Sequence, residues 1–360
     1  LLTLGGRHVA VTVPEAAFED QFGTRLGSAL ATGNLGLFIF FVLSGYLIAR
    51  PFIRAFVAGE PLPDLPRFFR NRILRIVPAF WLVFTVVLIR HGSLDSTTGQ
   101  IASVYLFAQN YNDSTAAFAI GQAWTLSVEM VFYALVPLVA TLAVAAIGAR
   151  AGPRARLLAV IGVGAAVGLA SVVFGGTEPG DTVLQRSVPA ALFAFVPGIW
   201  LAAIEIEAAP RLRGRRAGRL LAVALLAASA LLVLVFHSVD HGSFRRYAIL
   251  AAAISGTLVA APLVFQWTTG RSVRLLDNRV LQWLGQRSYS IYLVHLAILI
   301  ELGNLARSGG PRQGLALVFL AGVPLTIVAA AVSYRLFERP FLDRRVPWRR
   351  PGESKLRALQ

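Results

Sequence analysis

Apolar runs recur along the chain, each close to the length that crosses a bilayer, with short polar segments between them. A helix needs about 20 consecutive apolar residues to cross the hydrocarbon core. Candidate spans fall at 34–50, 76–91, 122–148, 157–174, 187–206, 218–237, 246–268, 288–304 and 314–336. The pattern predicts an all-α fold, a polytopic transmembrane helical bundle of about nine spans. The stretch "IASVYLFAQ" is too short to span and reads as interfacial or re-entrant. No internal repeat, low-complexity linker or separate soluble domain interrupts the pattern. Residues 1–360 are therefore one membrane domain, with a basic tail at 343–360.

Composition agrees: 56% of the 360 residues are hydrophobic and 14% are charged. The formal charge of +16 would suggest nucleic acid in a soluble protein. Its distribution argues otherwise and predicts no nucleic-acid partner. With the loop after the first span placed in the cytoplasm, the cytoplasmic set holds 26 of the 34 Lys and Arg. That is a strong positive-inside bias, and it meets anionic lipid head groups. Segment 92–121 has no Lys or Arg and carries Asp95 and Asp113, which fits the outer side. The expected location is the inner (plasma) membrane, multi-pass. The absence of Cys excludes disulfides, thiolate metal sites and a Cys nucleophile. The five His are scattered without metal-ligand spacing, and no Gly-rich nucleotide loop is visible.

This topology puts the start of the chain outside. Residues 1–33 contain no 18-residue apolar run, and "LLTLGG" reads as the last turn of a helix. The expectation is that the sequence begins inside, or just after, an original first span.

Four stretches carry polar groups into apolar surroundings. In "GLFIFFVLSGYLI", the Ser44-Gly45 pair permits close helix approach. In "RFFRNRILRIVPAFW", Arg72 and Arg75 are three apart on one helical face, with Arg70 close by and Pro78 inside the following span. Such a cluster is either a snorkelling interfacial patch or a face suited to phosphate, which guanidinium binds in a bidentate way. In "WTLSVEMVFYALVPL", Glu129 is a carboxylate in a lipid-like run. In "LGQRSYSIYLVH", Ser288, Tyr292 and His295 fall at offsets of zero, four and seven, one polar stripe on a helix. Intramembrane ionisable groups face a bundle interior or a cavity and are functional candidates; for His295 a hydrogen-bonded packing role is the alternative. Glu338 in "FERPF" reads as part of a local surface ion-pair network with Arg335 and Arg339. Glu205 and Glu207 read as interfacial carboxylates facing the Arg-rich loop 211–219.

Taken together, "FFVLSGYLI", "RNRILRIVP", "WTLSVEMVFY", "LGQRSYSIYLVH" and "YRLFERPFL" resemble the acyltransferase 3 family, integral-membrane enzymes that O-acylate bacterial surface glycans and some small molecules. The family has ten spans, which nine spans starting from outside would match with the first one missing. The resemblance implies an acyl-CoA donor from the cytoplasm, acetyl-CoA by family default, no bound cofactor, and a hydroxyl acceptor on a cell-envelope polysaccharide or glycolipid. A soluble natural product such as a macrolide is an alternative acceptor. A transporter or flippase is the alternative function, without an inverted repeat to support it. The family's first helix carries an Arg and, about ten residues later, an essential His. His8 follows Arg7 directly, so the essential His is expected upstream of Leu1. Acyl transfer also needs a donor site, a base and oxyanion stabilisation. The resemblance assigns Arg70, Arg72 and Arg75 to the CoA phosphates, Glu129 and His295 to catalysis, and Trp124, Ser127, Ser288 and Tyr292 to substrate binding. Glu129 would orient or charge-stabilise the catalytic histidine or bind acceptor hydroxyls. Alternatively, it locks helices through Ser127 or Tyr groups.

Overall fold

A computed structural model describes residues 2–4, 7–9, 35–90, 97–112, 115, 121–148, 150–174, 186–238, 244–305 and 316–345. Two short strands, Leu2–Leu4 and Arg7–Val9, pair antiparallel. All other regular structure is helical. The helices are α1 Leu35–Ala58, α2 Leu65–Arg90, α3 Thr98–Tyr105, α4 Trp124–Gly148, α5 Pro153–Phe174, α6 Val188–Leu212, α7 Arg216–Ser238, α8 Phe244–Thr269, α9 Arg279–Gln286, α10 Ser288–Leu305 and α11 Val318–Leu342. Among the described residues, eight helices are long and apolar enough to cross a membrane. The ninth predicted span is α10, whose apolar part, Ser288–Leu299, is shorter.

Two boundaries differ from the sequence pattern. Helix α1 runs on through Pro51 to Ala58, and α2 begins at Leu65, so Arg67, Arg70, Arg72 and Arg75 lie on its first three turns rather than in a loop. Hydropathy marks only lipid-spanning segments, whereas the backbone stays helical wherever neighbouring helices supply packing. The stretch "IASVYLFAQ" forms α3, started by a Thr97–Gln100 capping box, and then a 3-10 turn over Gln109–Tyr111. The tail 346–360 lies outside the described residues, as do Asp95 and Asp113.

Helix α1 forms the core. It buries Phe41, Val42, Ile48 and Phe52 almost completely, against α4, α6 and α8. Without a hydrophobic drive between helices in lipid, close packing depends on small residues. Here Gly45 and Gly198 supply it: a Cβ at Gly198 would lie 1.9 Å from the Val42 carbonyl oxygen, and one at Gly45 2.3 Å from that of Phe195. Outward faces are apolar, with Leu158, Leu169, Leu220, Leu234 and Leu320 exposed as a lipid-facing surface requires. Gly198→Ala is expected to separate α1 from α6 and to cost roughly 1–3 kcal/mol or more, since backbone rather than a flexible side chain blocks the methyl. Thermal unfolding in detergent checks this; an unchanged midpoint would show that the two helices need not touch.

Connections cluster at two ends. At one, Arg156 donates to Phe56 O at 3.2 Å, Gly214 N to Thr268 O at 2.8 Å, and Arg70 to Arg344 O at 3.4 Å. At the other, Asn110 donates to Arg186 O at 2.8 Å, and Gln122 to the carbonyls of Tyr292 and Leu293. Apart from the Gln122 contact, which reaches into α10 itself, each pair joins segments that an alternating nine-span path places on the same side. The first end carries the arginine-rich segments and is called the basic end below.

Candidate active site

Glu129 lies on the second turn of α4 and is 5% exposed. Its carboxylate accepts hydrogen bonds from Tyr133 Oη at 2.6 Å and from Ser44 Oγ at 3.2 Å. Tyr133 reaches it because positions i and i+4 share one helix face. Ser44 reaches it from α1, next to Gly45, where the glycine contact with α6 fixes the height of the helix. One dipeptide thus supplies both a polar contact and a close approach. Ser127 does not bind the carboxylate: its Oγ is buried and has no hydrogen-bond partner among the described residues. Among those residues no cation lies within 4.0 Å of Glu129, although Arg75 and Arg72 act on it electrostatically. Two hydroxyl donors and a nearby positive field offset part of the cost of burying this charge.

The positive field comes from the first turns of α2. Arg72 is half-buried, with its guanidinium 5.3 Å from the Tyr133 ring and 5.6 Å from that of Phe68. Arg75 and Arg70 are exposed. Neither Arg72 nor Arg75 has a hydrogen-bonding acceptor among the described residues, so their N–H groups are available to a ligand. Arg72, Tyr133, Glu129 and Ser44 form a chain of contacts from the basic end into the bundle.

Glu338 corrects the sequence reading. It does not join a surface network with Arg335 and Arg339; it is 3% exposed and accepts from Ser290 Oγ at 2.8 Å, while Arg339 pairs with Asp343. Residues Tyr334–Glu338 form a π turn, which turns this side chain inward from the face that regular helical spacing assigns it. Arg75, Arg345 and Arg287 surround it electrostatically. Beyond the end of α11, burial first, then the charges of Arg75 and Arg72, lower the pKa of Arg345 from its ordinary value; a guanidinium stays charged regardless. Glu207 pairs with Arg211, the first of the Arg-rich stretch, which lies one turn on in the last turn of α6 and not in a loop. Glu205 instead turns to α1, binding Arg50 at 2.5 Å and Tyr46 Oη at 2.9 Å.

A second polar layer lies toward the opposite end. Tyr292 Oη bonds to Thr125 Oγ1 and to the Gln122 carbonyl, and its ring stacks on Phe40 at 6.3 Å. Trp124 packs edge-on against Phe41 at 6.1 Å. His295 Nδ1 lies 2.8 Å from the Tyr292 carbonyl. A carbonyl only accepts, so the neutral ring carries its proton on Nδ1 and leaves the Nε2 lone pair free to take a proton. The predicted Ser288 stripe does not form. Ser288 is exposed and donates back to Gly285 O at 2.9 Å, because α10 starts at that residue and its hydroxyl serves the turn before it. The buried serine is Ser290. His8 lies on a strand, opposite Thr3, and its side chain is outside the described residues.

Sequence reading missed Tyr133, although its spacing of four from Glu129 was a usable signal. It also missed Tyr289, whose Oη donates to Ile76 O at 2.7 Å and which the charges of both Glu129 and Glu338 reach. Its partner is a backbone carbonyl 213 residues away, and no local pattern reports that. Among the described residues no three His, Asp or Glu side chains gather as a metal site.

These features define a multi-pass helical membrane protein with a buried carboxylate, a guanidinium cluster at one end and a tyrosine–histidine layer toward the other. The chain belongs to the acyltransferase 3 family: residues 8–335 match its acyltransferase domain. It is similar to YrhL of Bacillus subtilis strain 168, with 28% identity over 86% of this chain and 50% of that protein. It is also similar to the O-acetyltransferase OatA of Staphylococcus aureus strain NCTC 8325, with 26% identity over 86% of this chain and 53% of that one. The peptidoglycan O-acetyltransferase OatA of Listeria monocytogenes is 25% identical over 94% of this chain and 55% of its own length. The chain thus spans about half the length of these relatives. No solved structure matches it significantly.

Proposed function

We propose that this chain is a membrane O-acyltransferase that moves an acetyl group from acetyl-CoA, taken up at a cytoplasmic basic end, to a hydroxyl of a cell-wall glycan of the peptidoglycan type. The observation that carries the reading is the chain of contacts from Arg72 through Tyr133 to Glu129. Family membership and the peptidoglycan O-acetylation named for the Listeria relative support the reaction and the acceptor. Arg70, Arg72 and Arg75 hold the CoA phosphates, and the pantetheine arm extends along the path toward Glu129. In the transfer, the acceptor oxygen forms an ester bond to the acyl carbon, the carbon–sulfur bond of the thioester breaks, and CoA leaves as the thiolate, which takes back from the base the proton that the acceptor gave up. The acceptor's proton passes to a base; His295 Nε2 is a free proton acceptor of the right kind. Glu129, whose charge reaches Tyr289 and Tyr292 on the same helix as His295, supplies negative potential on this side of α10, which favours an imidazolium in a low-dielectric interior. Trp124, Ser127 and Tyr292 border the acceptor; the free hydroxyl of Ser127 is available to it.

Transfer of labelled acetyl from acetyl-CoA to muropeptides by the purified protein is the direct test. No labelled ester with any glycan acceptor would end the reading. The side of donor entry is checked separately. The chain has no cysteine, so single cysteines introduced at Glu60 and Tyr111 are clean probes. An impermeant thiol reagent added to whole cells is expected to label position 111 and spare position 60. The reverse pattern would invert the orientation.

A further inference from the structure

Two arginines beyond the cluster on α2 lie at the same end, Arg287 within "LGQRSYSIYLVH" and Arg345 after the last helix. Arg287, at the junction of α9 and α10, is held between the rings of Trp283 at 4.0 Å and Tyr334 at 4.7 Å. Its Nη1 donates to Trp283 O at 2.9 Å, but its Nε is buried and has no acceptor among the described residues. Arg345, three residues past α11, has both Nε and Nη2 buried without an acceptor there. Its charge acts on Glu338, as do those of Arg75 and Arg287, and Arg75 and Arg72 in turn act on Arg345. At the surface, the neighbouring Arg344 carbonyl accepts from Arg70. Guanidiniums from three separate stretches of chain are therefore within electrostatic reach of one carboxylate, Glu338. The carboxylates within reach, Glu129 and Glu338, number fewer than these cations.

Like charges do not gather without a reason. A purely structural cluster would satisfy its donors with carboxylates or carbonyls, and Glu338 is the natural partner. Yet Glu338 bonds to Ser290 and, among the described residues, has no cation within 4.0 Å. The aromatic sandwich holds Arg287 without using its Nε. Preorganised guanidinium donors with spare N–H groups are what phosphate oxygens require, several at a time.

We propose that Arg287 and Arg345 join Arg72 and Arg75 in one cradle for a phosphate-bearing ligand, either the phosphates of the CoA donor or an anionic lipid headgroup. The CoA alternative rests on the donor reading given above. CoA carries a diphosphate and a separate phosphate, so its charge matches a cradle assembled from several arginines better than a single lipid phosphate does.

The test titrates CoA into the purified full-length protein in uncharged detergent, with pantetheine, which lacks phosphate, as the control ligand. Arg345→Gln and Arg287→Lys are each expected to weaken CoA binding about tenfold or more. Pantetheine binding should be unchanged, and so should CoA binding in Arg274→Gln, an exposed arginine outside the cluster. If Arg345→Gln fails to fold, Arg345→Lys keeps the charge but not the bidentate fork, and its CoA affinity decides instead. Folded variants at 287 and 345 that bind CoA as wild type does, beside Arg72→Ala and Arg75→Ala variants that lose it, would overturn the cradle and leave the donor reading standing. If the wild type ignores CoA but phosphatidylglycerol, and not phosphatidylcholine, raises its unfolding midpoint in an Arg345-dependent way, the cradle holds a lipid phosphate and the donor reading falls. Binding of neither overturns both.

Discussion

Glu129→Gln is expected to lower acyl-transfer turnover at least about tenfold while the protein still inserts and unfolds near the wild-type midpoint. Glutamine keeps the size of the side chain and an oxygen that can accept from Tyr133 Oη and Ser44 Oγ, the two donors that hold the carboxylate. What it removes is the charge. If that charge stabilises a cation formed in the transition state, each factor of ten in turnover corresponds to about 1.4 kcal/mol of lost stabilisation. Such an effect belongs in kcat. If Glu129 serves only to lock α1 to α4, Gln preserves turnover and Ala lowers stability, because truncation leaves two buried hydroxyls without their acceptor. Acetyl transfer and thermal unfolding, measured side by side on the protein expressed from its native reading frame, separate the two. A well-folded Gln variant with near-normal turnover would remove Glu129 from the chemistry.

Arg72→Ala and Arg75→Ala are expected to raise the apparent KM for acetyl-CoA about ten- to hundredfold each, with a smaller effect on the acceptor. Hydrogen bonds to charged groups contribute roughly 1.5–3 kcal/mol, and neither side chain spends its donors on an acceptor among the described residues. The two substitutions differ in one respect. Arg72 also lies over the Tyr133 and Phe68 rings, so its loss removes packing beside Glu129, and some loss of kcat accompanies the KM effect. Arg75 is exposed and, among the described residues, packs against no ring, so its loss acts mainly on KM, with a smaller effect on kcat through the charge that it places on Glu129. Folded variants of both with wild-type affinity for acetyl-CoA would return the cluster to a snorkelling role at the membrane surface.

The sequence by itself determined the all-α bundle and the order of its apolar helices. It also contained most of the polar groups that matter. These follow from physics that acts locally: a bilayer demands long apolar helices whose backbone groups bond internally. The Ser44-Gly45 packing contact and the shared face of Arg72 and Arg75 were legible for the same reason, since helical geometry relates near neighbours. The tertiary structure alone decided which of these groups meet. It gave Glu129 to Ser44, 85 residues away, rather than to Ser127 two residues away. It turned Glu338 inward to Ser290 through a π turn that regular spacing does not announce, and it left Ser288 at an exposed helix start. It also placed Arg75, Arg287 and Arg345 within electrostatic reach of the buried Glu338. In a bundle whose helices are apolar on most faces, period and hydropathy do not choose which face turns inward. Small residues such as Gly45 and Gly198 set the closest approaches, and the polar partners follow from where those approaches place each helix.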